Sequence, residues 1–268
     1  MIKTFYLSLV IASVLGFFSC NGKKKTFAEM QHFKGIVISF TDTLYYGEEK
    51  FGEPQKEWIE RITKVDLNEN GQITTITEYD KDGEITGKTT QVWKDKYSLS
   101  EYSTYGESGN MATKIEYYYN GDKLNQAIVH HYDENNVIEK LSYTYDGDRV
   151  VQIDGFKGGK KSKTTYSYLD DNDSYICLNV DYSGEKTERT IYLDNDNRII
   201  KMLADGDTYT YQYNEKGDEL KTTYSHFVNT FTYKYDDKGN WIEMVETEKW
   251  GNQSPKVKNL TTRHYEYK

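Results

Sequence analysis

From about residue 60 onward, apolar and polar positions alternate one by one in short runs, and Asn, Asp and Gly interrupt the runs about every 12 residues. The clearest unit is Thr230–Met244. There Phe231, Tyr233 and Tyr235 alternate with Thr230, Thr232 and Lys234, Asp236-Asp237-Lys238-Gly239 turns the chain, and Trp241-Ile242 starts the return. Side chains two apart share one side of a strand, so each run has two chemically different faces. Asn, Asp and Gly tolerate the left-handed backbone that hairpin turns require. The pattern predicts consecutive hairpins, because so short a repeat cannot hold a pair of helices.

Turn signals fall at 68–71, 80–83, 94–96, 106–110, 120–122, 133–136, 146–148 and 157–160. They continue at 170–173, 183–185, 194–197, 205–207, 214–217, 236–239 and 250–254, with a blurred one at 226–229. Before them, Gly35–Phe40 reads as a short apolar strand, Gly47–Pro54 as an irregular loop with Gly and Pro as breakers, and Trp58–Leu67 as a strand. One face carries tyrosine (Tyr209, Tyr211 and Tyr213; Leu141, Tyr143 and Tyr145; Tyr166 and Tyr168) and the other Thr, Lys and Glu. The fold class is therefore all-β: a long antiparallel meander of about 16 short strands, curled into a barrel-like or strongly curved single sheet that covers its Tyr face. A hydroxyl on an aromatic body suits a wide interior that still contains water. The opposite face carries Lys114, Glu116, Lys234, His264 and Glu266, which is unsuited to a lipid-facing band.

Composition sharpens this picture at two points. Tyrosine alone contributes 26 of the 268 residues, and the net charge is −9, or −10 without the leader and its Lys3. An acidic chain with no basic stripe beyond Lys23-Lys24-Lys25 and Lys160-Lys161 is a poor partner for nucleic acid.

The first residues form a targeting segment: Lys3, an apolar run Phe5–Phe18, then Phe17-Phe18-Ser19-Cys20 before the chain turns polar. The last four resemble the bacterial lipobox. That resemblance implies cleavage before Cys20 and acylation of that cysteine, a stable anchor once several chains are attached. The expected organisation is a lipoprotein signal peptide over 1–19, lipidated Cys20 and a tether over 20–33 with one helical turn within Thr26–Phe33, and a repetitive β domain over 34–268. No acidic run follows Cys20, which points to the periplasmic side of the outer membrane.

Tyr233-Lys-Tyr-Asp-Asp-Lys-Gly-Asn-Trp241 resembles a unit of the YD/RHS-type repeats, with weaker copies at Tyr79–Gly83, Tyr143–Asp146, Tyr211–Gly217 and Tyr265–Tyr267. With the lipobox, the whole resembles Bacteroidetes lipoproteins of unknown function that form one porin-like antiparallel meander. The resemblance implies fold and compartment. It brings no catalytic residue, because the repeat motif contains none.

Candidate chemistry is sparse. Asp170–Asp173 and Asp194–Asn197 are rich in oxygen ligands, but the EF-hand positions are wrong and turn chemistry accounts for both. His130 and His131 are adjacent on a strand and so face opposite ways. Cys177 reads as a small buried residue. No metal, cofactor or catalytic residue is assigned. Trp58, Trp93, Trp241 and Trp250 could stack on sugar rings, and equally could be core. Asp42-Thr43-Leu44 resembles the short O-glycosylation motif of Bacteroidetes. The expected role is non-catalytic binding or scaffolding, with a glycan or another envelope component as partner and the membrane reached through Cys20. The alternatives are a hydrolase using carboxylates inside the shell and a structural subunit of an outer-membrane assembly.

Overall fold

The turn signals and the alternation act together. In the computed structural model, which describes residues 24–169 and 174–268, each turn signal among the described residues joins two antiparallel strands. The strands are β1 (Val37–Lys50), β2 (Glu53–Leu67), β3 (Ile73–Tyr79), β4 (Ile85–Trp93), β5 (Leu99–Tyr105) and β6 (Met111–Asn120). Next come β7 (Lys123–His131), β8 (Val137–Asp146), β9 (Arg149–Lys157), β10 (Lys160–Tyr168), β11 (Ser174–Val180) and β12 (Lys186–Leu193). The last are β13 (Ile199–Ala204), β14 (Asp207–Tyr213), β15 (Glu219–Tyr224), β16 (Phe227–Tyr235), β17 (Trp241–Trp250) and β18 (Lys256–Tyr267). Each strand pairs with the next, and β1 pairs with β18 from Val37↔Tyr267 to Tyr46↔Asn259, which closes the sheet into an 18-stranded barrel. Closure leaves no open sheet edge along the wall.

The expected barrel-like meander of about sixteen strands is realised with eighteen, and one sequence expectation needs correction. Gly47–Pro54 is not an irregular loop, since β1 runs through Gly47 to Lys50 and β2 begins at Glu53. Pro54 pairs with Glu49 beyond the stretch where β2 meets β3, so its missing N–H faces an edge with no partner. The result is a two-stranded arm that projects past its neighbours, with Phe51 fully exposed at its tip.

Six of the turns share one construction. Asp236 Oδ1 accepts the backbone N–H groups of Lys238 (3.0 Å) and Asn240 (2.8 Å), and Gly239 takes φ +90° in the left-handed region. Asn68, Asp80, Asp181, Asp194 and Asn214 accept from the residues two and four later in the same way. One of the last two strand residues before many turns sits at a register shift, as at Trp93↔Leu99, Tyr119↔Leu124, Tyr145↔Val150, Tyr213↔Glu219 and Tyr235↔Trp241. Bulges of this kind bend a strand and increase its twist, so a repeat that carries its own bulge curls the sheet as it is laid down.

An even strand number puts both ends of the sheet at one end of the barrel, which we call the termini end. Aromatic side chains there lock six of the strands that end there to the start of an earlier one. Tyr119, Tyr145, Tyr168, Tyr213 and Tyr233 hydroxyls donate to the carbonyls of Leu99, Leu124, Val150, Ile199 and Glu219 at 2.8–3.0 Å. Trp93 takes the same position on β4, its indole N–H donating to Ile73 O at 2.7 Å. Cations from the turns lie over these end rings: Lys94 on Tyr119, Lys123 on Tyr145, Arg149 on Tyr168, Arg198 on Tyr213, Lys216 on Tyr235 and Lys238 on Tyr267.

The segment before β1 closes part of this end. Thr26 and Glu29 form a capping box around the single turn of α1 (Phe27–Met30). Ala28 N–H donates to Gly71 O at 2.9 Å, Phe27 N–H to Gln72 Oε1 at 3.1 Å, and Lys34 N–H to Asn240 Oδ1 at 2.8 Å. These bonds hold Phe27 and Phe33 against Phe40 and Tyr265, over a core of Val37, Val65, Leu67 and Ile73. Each aromatic side chain taken from water in this way contributes about 1.5–3 kcal/mol.

The wall alternates throughout β8. Val137, Glu139, Leu141, Tyr143 and Tyr145 are partly buried on the inner face, while Ile138, Lys140, Ser142 and Thr144 are exposed. In register with them, Lys161, Lys163 and Ser167 of β10 and Lys114 and Glu116 of β6 also face out. Along these strands the outer face presents no continuous apolar band of the kind that faces lipid in spanning barrels.

Candidate functional site

The inner faces of β5 to β11 surround a cavity of about 630 Å³. Alternation puts Tyr102, Tyr117, Tyr143 and Tyr166 on its wall, with Ile115, Val129, Leu141 and Ile153 between them. The turns after β7 and β11, at the end opposite the termini, bring Asp133, Glu134, Asp181 and Tyr182 to its mouth.

Glu139 is the best-organised polar group in the cavity. His131 Nε2 lies 3.0 Å from Glu139 Oε2, and the Tyr182 hydroxyl donates to Oε1 at 2.5 Å. The His131 and Glu139 side chains are each only 17% exposed, so the pair belongs to the interior. Tyr182 reaches β8 by lying across β9 at Gly155, where any Cβ would collide with Ser162 and with the Tyr182 ring. A glycine inside a strand marks this close approach. Burial first, and then the Glu139 carboxylate, push the Tyr182 phenol up to about 12. The neighbouring His130 faces outward, 3.3 Å from Glu116.

Burial pushes Tyr117, Tyr143 and Tyr166 well above the ordinary phenol value, and repulsion from neighbouring ionisable groups, mostly other tyrosines, adds to it. None of these three hydroxyls donates to a protein acceptor among the described residues, which sets them apart from the locked tyrosines of the termini end. Cys177 stands across from Tyr166 on β11, and burial raises its thiol.

The four tryptophans do not gather at this cavity. Trp58 lies on the arm, stacked on Tyr46 at 4.9 Å and 20°. Trp250, at the end of β17, meets the edge of Phe227 at 3.8 Å. Trp93 serves as an interstrand lock. Trp241 borders two smaller spaces of about 150 and 230 Å³ beneath the segment before β1, together with Gln31, His32 and Asp218. Its ring lies 3.9 Å from the Arg263 guanidinium, which grips Asp42 through two 2.6 Å bonds across the β1–β18 seam.

Cys20 and Asp170–Asp173 lie outside the described residues. Asp194 spends its carboxylate on the N–H groups of Asp196 and Arg198 and on the Arg198 side chain at 2.7 Å. Among the described residues, no three His, Cys, Asp or Glu side chains converge in a way that would hold a metal ion. Sequence reasoning missed the Glu139 cluster, because its members are 8 and 43 residues apart. Gly155, isolated within a strand pattern, was the one signal that a side chain passes close by.

No family model and no curated protein matches the chain. Among solved structures it is similar to a porin-like protein from Bacteroides uniformis ATCC 8492, at 13% identity and a TM-score of 0.45, covering 87% of this chain and 98% of that one. A porin-like protein from Bacteroides vulgatus ATCC 8482 is similar at 12% identity and a TM-score of 0.40, covering 86% and 98%. The structure of TcdB2-TccC3-Cdc42 is similar at 10% identity and a TM-score of 0.28, over 88% of this chain but 18% of that one. The barrel architecture rests on the strand pairings themselves.

Proposed function

We propose that this chain is a lipid-anchored protein of the cell envelope whose barrel is a non-catalytic binding shell, taking a glycan fragment into the cavity between β5 and β11. The observation that carries this reading is the cavity wall. It offers phenol rings for stacking and hydroxyls without protein partners, beside a carboxylate held in place by two neighbours. Cavities of this size with a few convergent polar groups are the usual form of small-ligand sites.

The anchor reading rests on the lipobox-like Phe17-Phe18-Ser19-Cys20 and on the polar outer wall, which favours anchoring over spanning. Lys24 Nζ donates to Asp122 O in the turn after β6, at the termini end. Four residues reach at most about 14 Å, so an acylated Cys20 would hold that end near the bilayer and leave the cavity mouth pointing away. With no acidic run after Cys20, the periplasmic side of the outer membrane is the proposed location.

Radiolabelled palmitate incorporation, lost in Cys20→Ala, tests the anchor. A thermal-shift screen of the processed protein against envelope glycans and their fragments tests the ligand. A ligand at 100 times its Kd adds about 2.7 kcal/mol. A positive shift abolished by Leu141→Trp, which fills the cavity, is the expected outcome. A flat response to every glycan would count against this reading.

A scaffolding role has one observation in its favour: the arm exposes Phe51, Tyr46 and Trp58 together.

A further inference from the structure

We infer that the cavity is built for a ligand that carries an ammonium group, seated at Glu139, so that an amino sugar is the sugar class that fits best. This rests on the reading of the cavity as the binding site and narrows its ligand.

Three observations converge. The first is charge. Asp133, Glu134, Glu139 and Asp181 line the cavity, and no Lys or Arg does. Lys157, just outside, pairs with Glu134 at 2.6 Å, and His131 is the one basic side chain on the lining. An anionic ligand would meet net repulsion in such a space, whereas a cation would be drawn in and held.

The second is the preparation of Glu139. Its two oxygens each take one bond, from Tyr182 and from His131, which fixes the carboxylate at the wall. A carboxylate has about four acceptor positions, so acceptor capacity is left over for a donor in the cavity. A charged N–H donor makes the stronger bond there.

The third is a contrast within one molecule. Six tyrosines at the termini end each lie under a Lys or Arg supplied by a turn. The cavity tyrosines Tyr102, Tyr117, Tyr143 and Tyr166 have no such cation among the described residues. Phenol rings attract cations through their quadrupole, most strongly when both are desolvated. The free hydroxyls of Tyr117, Tyr143 and Tyr166 can then bond the hydroxyls of a sugar ring that bears the amine.

Calorimetric titration of the processed protein with glucosamine, N-acetylglucosamine, glucose and tetramethylammonium separates the possibilities, and the wild-type comparison needs no variant. Glucosamine should bind at least tenfold more tightly than glucose or N-acetylglucosamine, with an affinity that falls as salt rises. Glu139→Gln, which keeps an acceptor for Tyr182, should cost glucosamine at least tenfold more affinity than it costs glucose. Equal binding of all three sugars would overturn the ammonium inference and leave the glycan reading standing. Tetramethylammonium binding without any sugar, blocked by Leu141→Trp, would support the inference and remove the glycan reading. Silence from all four would overturn both.

Discussion

The two sides of this barrel are built from the same hairpin repeat and filled in opposite ways. Around the seam, β1, β2, β3 and β18 receive Phe27 and Phe33 from the segment before the sheet, and the space holds Phe40, Val65, Leu67, Ile73 and Tyr265. Across from it, no described segment enters between β5 and β11, and tyrosines line a cavity. The repeat therefore decides the wall and not its contents. A filled side uses Phe, Val, Leu and Ile, whose side chains need only contact. A hollow side uses Tyr, whose hydroxyl can meet a polar guest.

The sharpest way to break this comparison is at the seam. Asp42→Ala leaves the Arg263 guanidinium buried with only ring faces around it, and should cost about 3–5 kcal/mol in urea unfolding. Phe40→Ala, in the filled side and 3% exposed, should cost about 3–5 kcal/mol through the cavity it leaves. A loss below 1 kcal/mol for either would show that the seam does not hold the fold. Tyrosine hydroxyls give a finer probe. Tyr119→Phe removes the bond to Leu99 O and should cost about 0.5–1.5 kcal/mol. Tyr143→Phe removes a hydroxyl that no protein group uses, and should leave stability within about 0.5 kcal/mol of wild type while weakening ligand binding. Equal costs at the two positions would show that the Tyr143 hydroxyl has a structural partner.

Alkali should act on both sides at once. Burial raises the folded-state pKa of Tyr117, Tyr143, Tyr213 and Tyr233 above the unfolded value of about 10. Such groups contribute stability that is fully present below the unfolded pKa and is lost as pH rises through the folded value. Phenolate absorbance should therefore lag behind that of free tyrosine above about pH 10 and then rise together with the loss of circular dichroism. Early phenolate formation in a still-folded protein would contradict the burial. The smallest effect belongs to the arm, where Trp58→Ala removes an exposed stack and should shift stability by no more than about 0.5 kcal/mol.

The wall was legible in the sequence because turn chemistry is local. Asp or Asn followed three residues later by Gly or Asn, between alternating runs, marked hairpins wherever the residues are described. The turn near His226 was blurred because Ser225, at φ +47°, does the work that glycine does elsewhere. Gly47 and Pro54 read as breakers because their strand neighbours are absent from the local pattern: only the partner strand shows that both can sit in a ladder. The contents of the barrel were hidden for the same reason. Phe33 meets Tyr265, and Tyr182 meets Glu139, through closure and through a glycine two strands away. The four tryptophans could have shared one stacking surface, whereas the barrel distributes them between its two ends and its arm.

Closure also sets an order of assembly. Every hairpin joins residues close in sequence, but Asp42 and Arg263 are 221 residues apart. Joining ends that far apart costs about 2–3 kcal/mol more in chain entropy than closing a 12-residue hairpin, less whatever curvature the meander already has. As the chain emerges, β1 exposes one open edge until β18 is complete, and contacts of such long range are slow to form. A chain that stops short of β18 would keep two raw edges, on β1 and β17, each a template for another chain. The twelve residues of β18 thus decide whether the product is a sealed barrel or an aggregate.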